Sequence, residues 1–219
     1  MDVCTGDSIS DLLARSPGLA AFYTGYASYL HRCLETVDLA QLEAVGQVFL
    51  RAREEGRTIF FAGNGGSAAT ASHFCQDLAE VGRKAKVKGF RTLSLTDNVS
   101  YITAAGNDYG YHNIFTTQMM FLFQERDVLV VISASGNSPN VVEAARFAKE
   151  RGGIVIALVG FDGGQLGNMA HHVLKVETHR GEYGPVEDAH LIFDHVITTF
   201  LTSRLNEERE PGCQRGVDQ

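Results

Sequence analysis

With 219 residues, 44% of them hydrophobic and 21% charged, the chain can bury one sizeable α/β core, and it lacks the run of about 18 apolar residues that a membrane span needs. Its net charge of −7 argues against a nucleic-acid surface, which carries a basic patch. An anionic small ligand stays open, because backbone amides and hydroxyls bind phosphate locally.

The start, MDVCTGDSISDLLARSPG, is acidic and polar and has no basic, apolar leader. Cys4, Cys33, Cys75 and Cys213 form no C-x-x-C pair. Both features point to a cytoplasmic protein with reduced thiols, not a disulfide framework or a thiolate zinc site. From Leu19 to Glu55, Phe22, Tyr26, Tyr29, Leu30 and Cys33, then Leu39, Leu42, Val45, Val48 and Phe49, recur at helical spacing. Asp38 and Gln41 read as a capping box that starts the second of two helices. Short apolar runs follow at Thr58–Ala62, Arg91–Leu95, Val128–Ser133, Ile154–Val159 and Val173–Val176. Helical stretches are expected between and after them, near 67–81, 111–125, 138–151 and 185–206. Buried strands alternating with helices imply a mainly parallel sheet covered on both faces. The expected organisation is an N-terminal helical extension over 1–56 serving oligomerisation, an α/β domain over 57–206, and a disordered tail over 207–219.

Two loops carry the ligand signal. The first, Gly63-Asn64-Gly65-Gly66-Ser67, joins a strand to a helix. Its glycines admit a ligand to the backbone, and the helix start offers free amides and a positive dipole end. Gly63-x-Gly65-x-x-Ala68 also satisfies a loose dinucleotide fingerprint. That reading needs an acid about 20 residues on, at the end of the second strand, and this strand ends too late, near Thr96-Asp97. No nucleotide cofactor is therefore expected. The second loop is Ser133-Ala134-Ser135-Gly136-Asn137-Ser138. Ser138 can cap the next helix, with Pro139 at its first position, but three serines around one glycine exceed what a cap needs. Hydroxyls and amides together make a neutral phosphate cradle.

The segments GNGGSAATASHFCQDLAE, AGNDYGYHNIF, DVLVVISASGNSPNVVEAARFAKERG and VEDAHLIFDH occur in this order. Together they resemble the SIS-domain sugar isomerases, most closely the phosphoheptose isomerase branch, over roughly residues 40–205. The resemblance implies a three-layer αβα sandwich with a five-stranded, flavodoxin-like parallel sheet, and a homotetramer with active sites between subunits. It implies substrate contacts at Asn64, Gly65, Gly66, Asn107, Asp108, Ser133, Ala134, Ser135 and Ser138, with Ser67 joining the phosphate cradle. The zinc and acid–base positions of the family map to His73, Asp77, Glu187 and His195, with Asp77 and His195 as the proton-transfer pair and Glu187 also facing substrate.

Two residues depart from the family pattern. Asp77 stands where Glu is typical, and Glu187 stands where Gln is typical. His73 and Asp77, four apart, share a helix face and make half of a metal site with nitrogen and oxygen ligands. Glu187 and His195, eight apart, lie about 12 Å apart along an ideal helix, so spacing alone does not join them. His112, His171 and His172 are read as structural, and Cys75 as a small core residue. The expected activity is ketose–aldose isomerisation of sedoheptulose 7-phosphate. An eight-carbon ketose phosphate and a non-catalytic SIS scaffold are the rival readings.

Overall fold

The structure, a computed structural model, describes residues 8–209. In chain order the elements are α1 (Ile9–Arg15), α2 (Leu19–Leu34), α3 (Leu39–Glu55), β1 (Thr58–Gly63), α4 (Gly66–Ala85), β2 (Arg91–Ser94) and α5 (Val99–Tyr109). A 3-10 turn at Tyr111–Asn113 leads to α6 (Thr116–Met119), β3 (Val128–Ser133), α7 (Pro139–Glu150), β4 (Ile154–Gly160), α8 (Gly164–Met169), β5 (His172–Val176) and α9 (Tyr183–Arg209). The strands pair in parallel in the order β2-β1-β3-β4-β5. All six residues of β3 and six of the seven of β4 are buried, while β2 and β5 at the edges are partly open. Central parallel strands lie between two helical layers and so read as continuous apolar runs.

One core unites α2, α3, α4 and α9 with one face of the sheet, through Phe49, Phe61, Phe74 and Phe193. The other unites α5 and α7 with the opposite face, through Phe60, Phe115, Leu129 and Val142. This is the expected three-layer αβα sandwich. Strand ends agree with the apolar runs to within a residue. Asp38 caps α3 by accepting from the amides of Ala40 and Gln41. The Gln41 side chain does not close the box. It accepts from the Val173 amide of β5 instead, tying α3 to the sheet edge.

Three helical expectations differ. Residues 99–109 form α5, which the sequence hides because Ala105 is its only buried residue. The stretch 111–125 is not one helix. Ile114, Phe115, Met119 and Phe123 are buried while Met120, Phe121 and Leu122 face outward, a pattern no single helical stripe produces. Asp127 then accepts from the amides of Gln124 and Thr58 and turns the chain into β3. Finally, α9 runs to Arg209, past the boundary at 206, while residues 210–219 of the expected tail lie outside the described residues. Cys4 and Cys213 lie outside them too. Cys33 and Cys75 are free thiols.

The N-terminal helices dock on their own domain. Tyr26 donates to Asp188 (2.6 Å), Tyr29 donates to Glu182, and the Ile9 amide donates to Glu182 (2.7 Å). All three bonds converge on the start of α9.

His190 of α9 is fully buried, and neither ring nitrogen completes a hydrogen bond among the described residues. Burial pushes its pKa down to about 4, offset slightly by the Val159 backbone. The unfolded chain therefore takes up this proton first on acidification. The stabilisation is full above about pH 6.5 and is lost as pH falls toward 4, up to about 3 kcal/mol at 1.36 kcal/mol per unit. Urea titrations across pH 7 to 4 should show wild type losing this much stability relative to His190→Leu, since groups that titrate in both proteins cancel in the difference. An unchanged slope in the variant would remove His190 as the cause.

Candidate active site

The sheet order places a topological switch point between β1 and β3, whose following helices lie on opposite faces of the sheet. Ligands of open α/β sheets bind there, beyond the carboxyl ends of the strands. The Gly63–Ser67 and Ser133–Ser138 loops leave the sheet at this point. Gly65, at φ +53°, caps α4 without a side-chain hydrogen bond, so the helix start presents its amides outward. Gly136 has φ +62°, and a Cβ there would lie 2.0 Å from the Gly163 carbonyl oxygen. Only glycine lets the serine loop pack against the β4–α8 turn.

Between the loops lies a cleft of about 160 Å³ lined by Asn64, Ser67, Ile132, Ser133, Ala134, Ser135, Ser138, Tyr183 and Glu187. Ser138 sits at the N-cap of α7, but its hydroxyl makes no capping bond, so capping does not account for it. The Ser135 hydroxyl accepts from the Asn137 amide (3.3 Å). Asn64 and Asn140 exchange two amide hydrogen bonds (2.8 and 2.7 Å), and Tyr111 also donates to Asn64. This bracing holds the β1 loop against α7. Asn140, Tyr111 and Tyr183 were not singled out in the sequence. Asn140 does follow the serine loop directly, and the other two carry no chemical signature. Asn107 and Asp108 bond to each other at the exposed end of α5 (2.8 Å) and do not line the cleft.

A second centre lies along the seam where α4 and α9 pack. His73, Asp77, Asp194 and His195 each offer a ligand atom, all within 4.8 Å of one another. His73 Nε2 is 3.6 Å from Asp77 Oδ2, and the His73 and His195 rings meet edge-on at 5.3 Å. Donors around a tetrahedral zinc stand roughly 3.4 Å apart, from bond lengths near 2.1 Å. The His73–Asp77 pair already stands near that spacing and every other pair lies within 4.8 Å, so two nitrogen and two oxygen donors gathered this closely suit a divalent cation. Asp194 is 0% exposed, and neither of its oxygens has a hydrogen-bond partner among the described residues. Burial first, and the Asp77 charge second, raise its pKa to about 7.

Glu187 does not join this group within one chain. It stands two turns earlier on α9, where its carboxylate fills the space beside Gly66: a Cβ on Gly66 would come within 2.5 Å of both oxygens. The structure thus places Glu187 in the serine-lined cleft and puts Asp194 beside His73, Asp77 and His195. Asp194 was missed because it neighbours His195 in sequence, and adjacent helical residues point about 100° apart. Cys75 is partly buried, and burial raises its pKa, consistent with a packing role.

A profile described as the SIS domain matches residues 21–160. A phosphoheptose isomerase of Aliarcobacter butzleri is 33% identical over 84% of this chain and 95% of its own. One from Geobacter sulfurreducens is 40% identical over 68% and 78%. The solved phosphoheptose isomerase of Neisseria gonorrhoeae superposes with a TM-score of 0.75 at 32% identity, covering 84% of this chain and 96% of that one. The chain belongs to the SIS domain family, in its phosphoheptose isomerase branch. The SIS match takes in α2, α3 and both loops but stops at β4. The α9 residues Glu187, Asp194 and His195 therefore lie beyond the matched SIS segment. A sugar isomerase domain of a transcription factor from Sphaerobacter thermophilus shares the fold, with a TM-score of 0.61 at 21% identity.

If the serine loop of this SIS domain holds phosphate, Ser135→Ala should weaken phosphosugar binding by about 1–3 kcal/mol, the usual loss for a hydrogen bond to a charged group. The melting temperature should stay near the wild-type value. Calorimetry with inorganic phosphate and with a ketose phosphate checks this, and equal affinities would exclude the loop.

Proposed function

We propose that this chain is a phosphosugar isomerase that converts sedoheptulose 7-phosphate into a heptose 7-phosphate. The observation that carries the reading is the joint placement, in one SIS domain, of a serine- and amide-lined cleft between the β1–α4 and β3–α7 loops and a histidine–carboxylate cluster on α4 and α9. Ser67, Ser133, Ser135 and Ser138 hold the phosphate, together with the backbone at Gly65, Gly66 and Ala134. Asn64 and Glu187 face the sugar hydroxyls. Asn107 and Asp108 lie outside the cleft of their own chain, so a role in substrate contact would serve a neighbouring subunit.

Ketose-to-aldose conversion moves one proton from C1 to C2 through an enediol. In this reading Asp77 removes the C1 proton while His195 donates one to the C2 oxygen. Return of a proton to C2 and loss of the O1 proton complete the aldose, with no net gain or loss of electrons. A zinc ion held at the cluster would polarise the substrate carbonyl. The remaining work is that of the side chains, which position the sugar and hold the exchanged protons.

We also propose a homotetramer. Leu19 is 83% and Phe121 87% exposed, and Tyr23, Leu39, Val196 and Phe200 also present apolar surface, which supports burial between subunits. No helix among the described residues is long and apolar enough to cross a membrane. The free thiols Cys33 and Cys75 suit a reducing cytoplasm.

A discontinuous assay of aldose formation from sedoheptulose 7-phosphate tests the activity. Asp77→Asn and His195→Ala should each lower turnover by at least about 100-fold while phosphosugar binding persists. A wild-type protein that binds ketose phosphates but turns over none of a seven- and eight-carbon panel would instead be a scaffold. Light scattering at micromolar concentration should give a tetramer, and a stable monomer there would remove any site shared between subunits.

A further inference from the structure

The family pattern leaves Asp194 unexplained. It is 0% exposed, it sits at the centre of the α4–α9 seam, and both carboxylate oxygens lack a hydrogen bond among the described residues. A buried carboxylate is retained only where something compensates it. The Lys84 charge acts on it, but less than burial and the Asp77 charge do, and Lys84 lies in a cleft with Asp77 and His195. Hydrogen bonds from the protein do not supply the compensation. Instead, an Asp194 oxygen lies within 4.8 Å of ligand atoms on His73, Asp77 and His195. Two imidazoles and two carboxylates around one point are a first-row divalent-cation donor set.

We infer that Asp194 is the fourth protein ligand of this cation site, completing with His73, Asp77 and His195 a two-histidine, two-carboxylate set within a single chain. The inference rests on the reading of this seam as the isomerase's cation site, and it changes that site's composition. Glu187 is then not needed for the cation. It remains where the structure holds it, against Gly66 in the serine-lined cleft, as a substrate-facing carboxylate. The cation would bind each subunit independently, even where the active site as a whole is assembled between subunits.

The test measures zinc, not turnover. Chelator-stripped full-length protein is titrated with zinc against a chromophoric chelator, and its melting temperature is recorded with and without the ion. Wild type should bind about one zinc per chain and melt higher with it. Asp194→Asn, nearly isosteric, should weaken zinc at least about tenfold and lose most of the zinc-dependent rise. Without metal it should melt at or above the wild-type temperature, because a buried charge is gone. Glu187→Ala, which removes every donor atom from that side chain, should keep the wild-type zinc affinity.

Should Asp194→Asn fold poorly, Asp194→Leu provides the same comparison. Should neither fold, extended X-ray absorption on zinc-loaded wild type and Glu187→Ala decides, since two nitrogen and two carboxylate-oxygen neighbours, unchanged in the variant, are required. Wild-type zinc affinity in Asp194→Asn, or its loss in Glu187→Ala, overturns the assignment, as does a wild type that binds no zinc. Turnover of sedoheptulose 7-phosphate is measured separately. If it is absent while the zinc results hold, the isomerase reading fails and the ligand assignment stands.

Discussion

The register of α4 against α9 is the constraint on which both centres depend. The two helices run side by side in the same direction. Gly66 meets Glu187, His73 meets His195, and Lys84 lies opposite Thr202. The register is set at its narrow end. Only a residue without a side chain at Gly66 leaves space for the Glu187 carboxylate, so α9 can approach the Gly63–Ser67 loop closely there. With that point fixed, the 1.5 Å rise of both helices carries Asp194 and His195 into line with His73 and Asp77. A shift of one residue would rotate α9 by about 100°, turning Asp194 out of the seam and dispersing both centres together.

The sheet supplies the frame in which this register matters. Its switch point delivers the start of α4 and the serine loop to the same end of the molecule, and α9 returns across β4 to close the site from one side. The tyrosine–carboxylate bonds from α2 to Glu182, just before α9, and to Asp188, in its second turn, hold the segment that bears Tyr183 and Glu187. The N-terminal helices therefore shape the site of their own chain, whatever they also do between chains.

Much of this was legible in the sequence, for identifiable reasons. Central parallel strands are apolar throughout, so β1, β3 and β4 stand out. Glycines and serines at strand ends mark places where a backbone must come close to something. The seam was less legible. His73 and Asp77 at i, i+4 declare a shared face, but Asp194 declares nothing: its neighbour His195 points about 100° away, and its partners lie on a helix more than a hundred residues earlier. Helix α5 was hidden for a related reason. Asn98 caps it, accepting from the Tyr101 amide, yet it buries almost no side chain. Where packing does not write a periodic stripe, period-based reading finds none.

The departures from the family pattern make more sense together than singly. Replacing Glu by Asp at position 77 withdraws a carboxylate by roughly one C–C bond, about 1.5 Å, which would leave a cation under-coordinated or a base short of its carbon. Asp194 brings a second carboxylate to the same point from the opposite helix. Asp77 can then sit back without the centre losing anionic charge, and one carboxylate can act in proton transfer while the other holds the centre together. Glu187 raises the opposite difficulty, since it adds negative charge to the cleft proposed to take phosphate. The start of α4 offsets this in part, because its outward amides and dipole end favour anions. A carboxylate beside them is also well placed to accept hydrogen bonds from sugar hydroxyls. Glu187 would then select for the polyhydroxylated part of the ligand, leaving the serine hydroxyls to the phosphate. In the proposed reading, the distribution of carboxylates along α9 thus divides the seam into a sugar-facing end at Glu187 and a cation- and proton-handling end at Asp194 and His195.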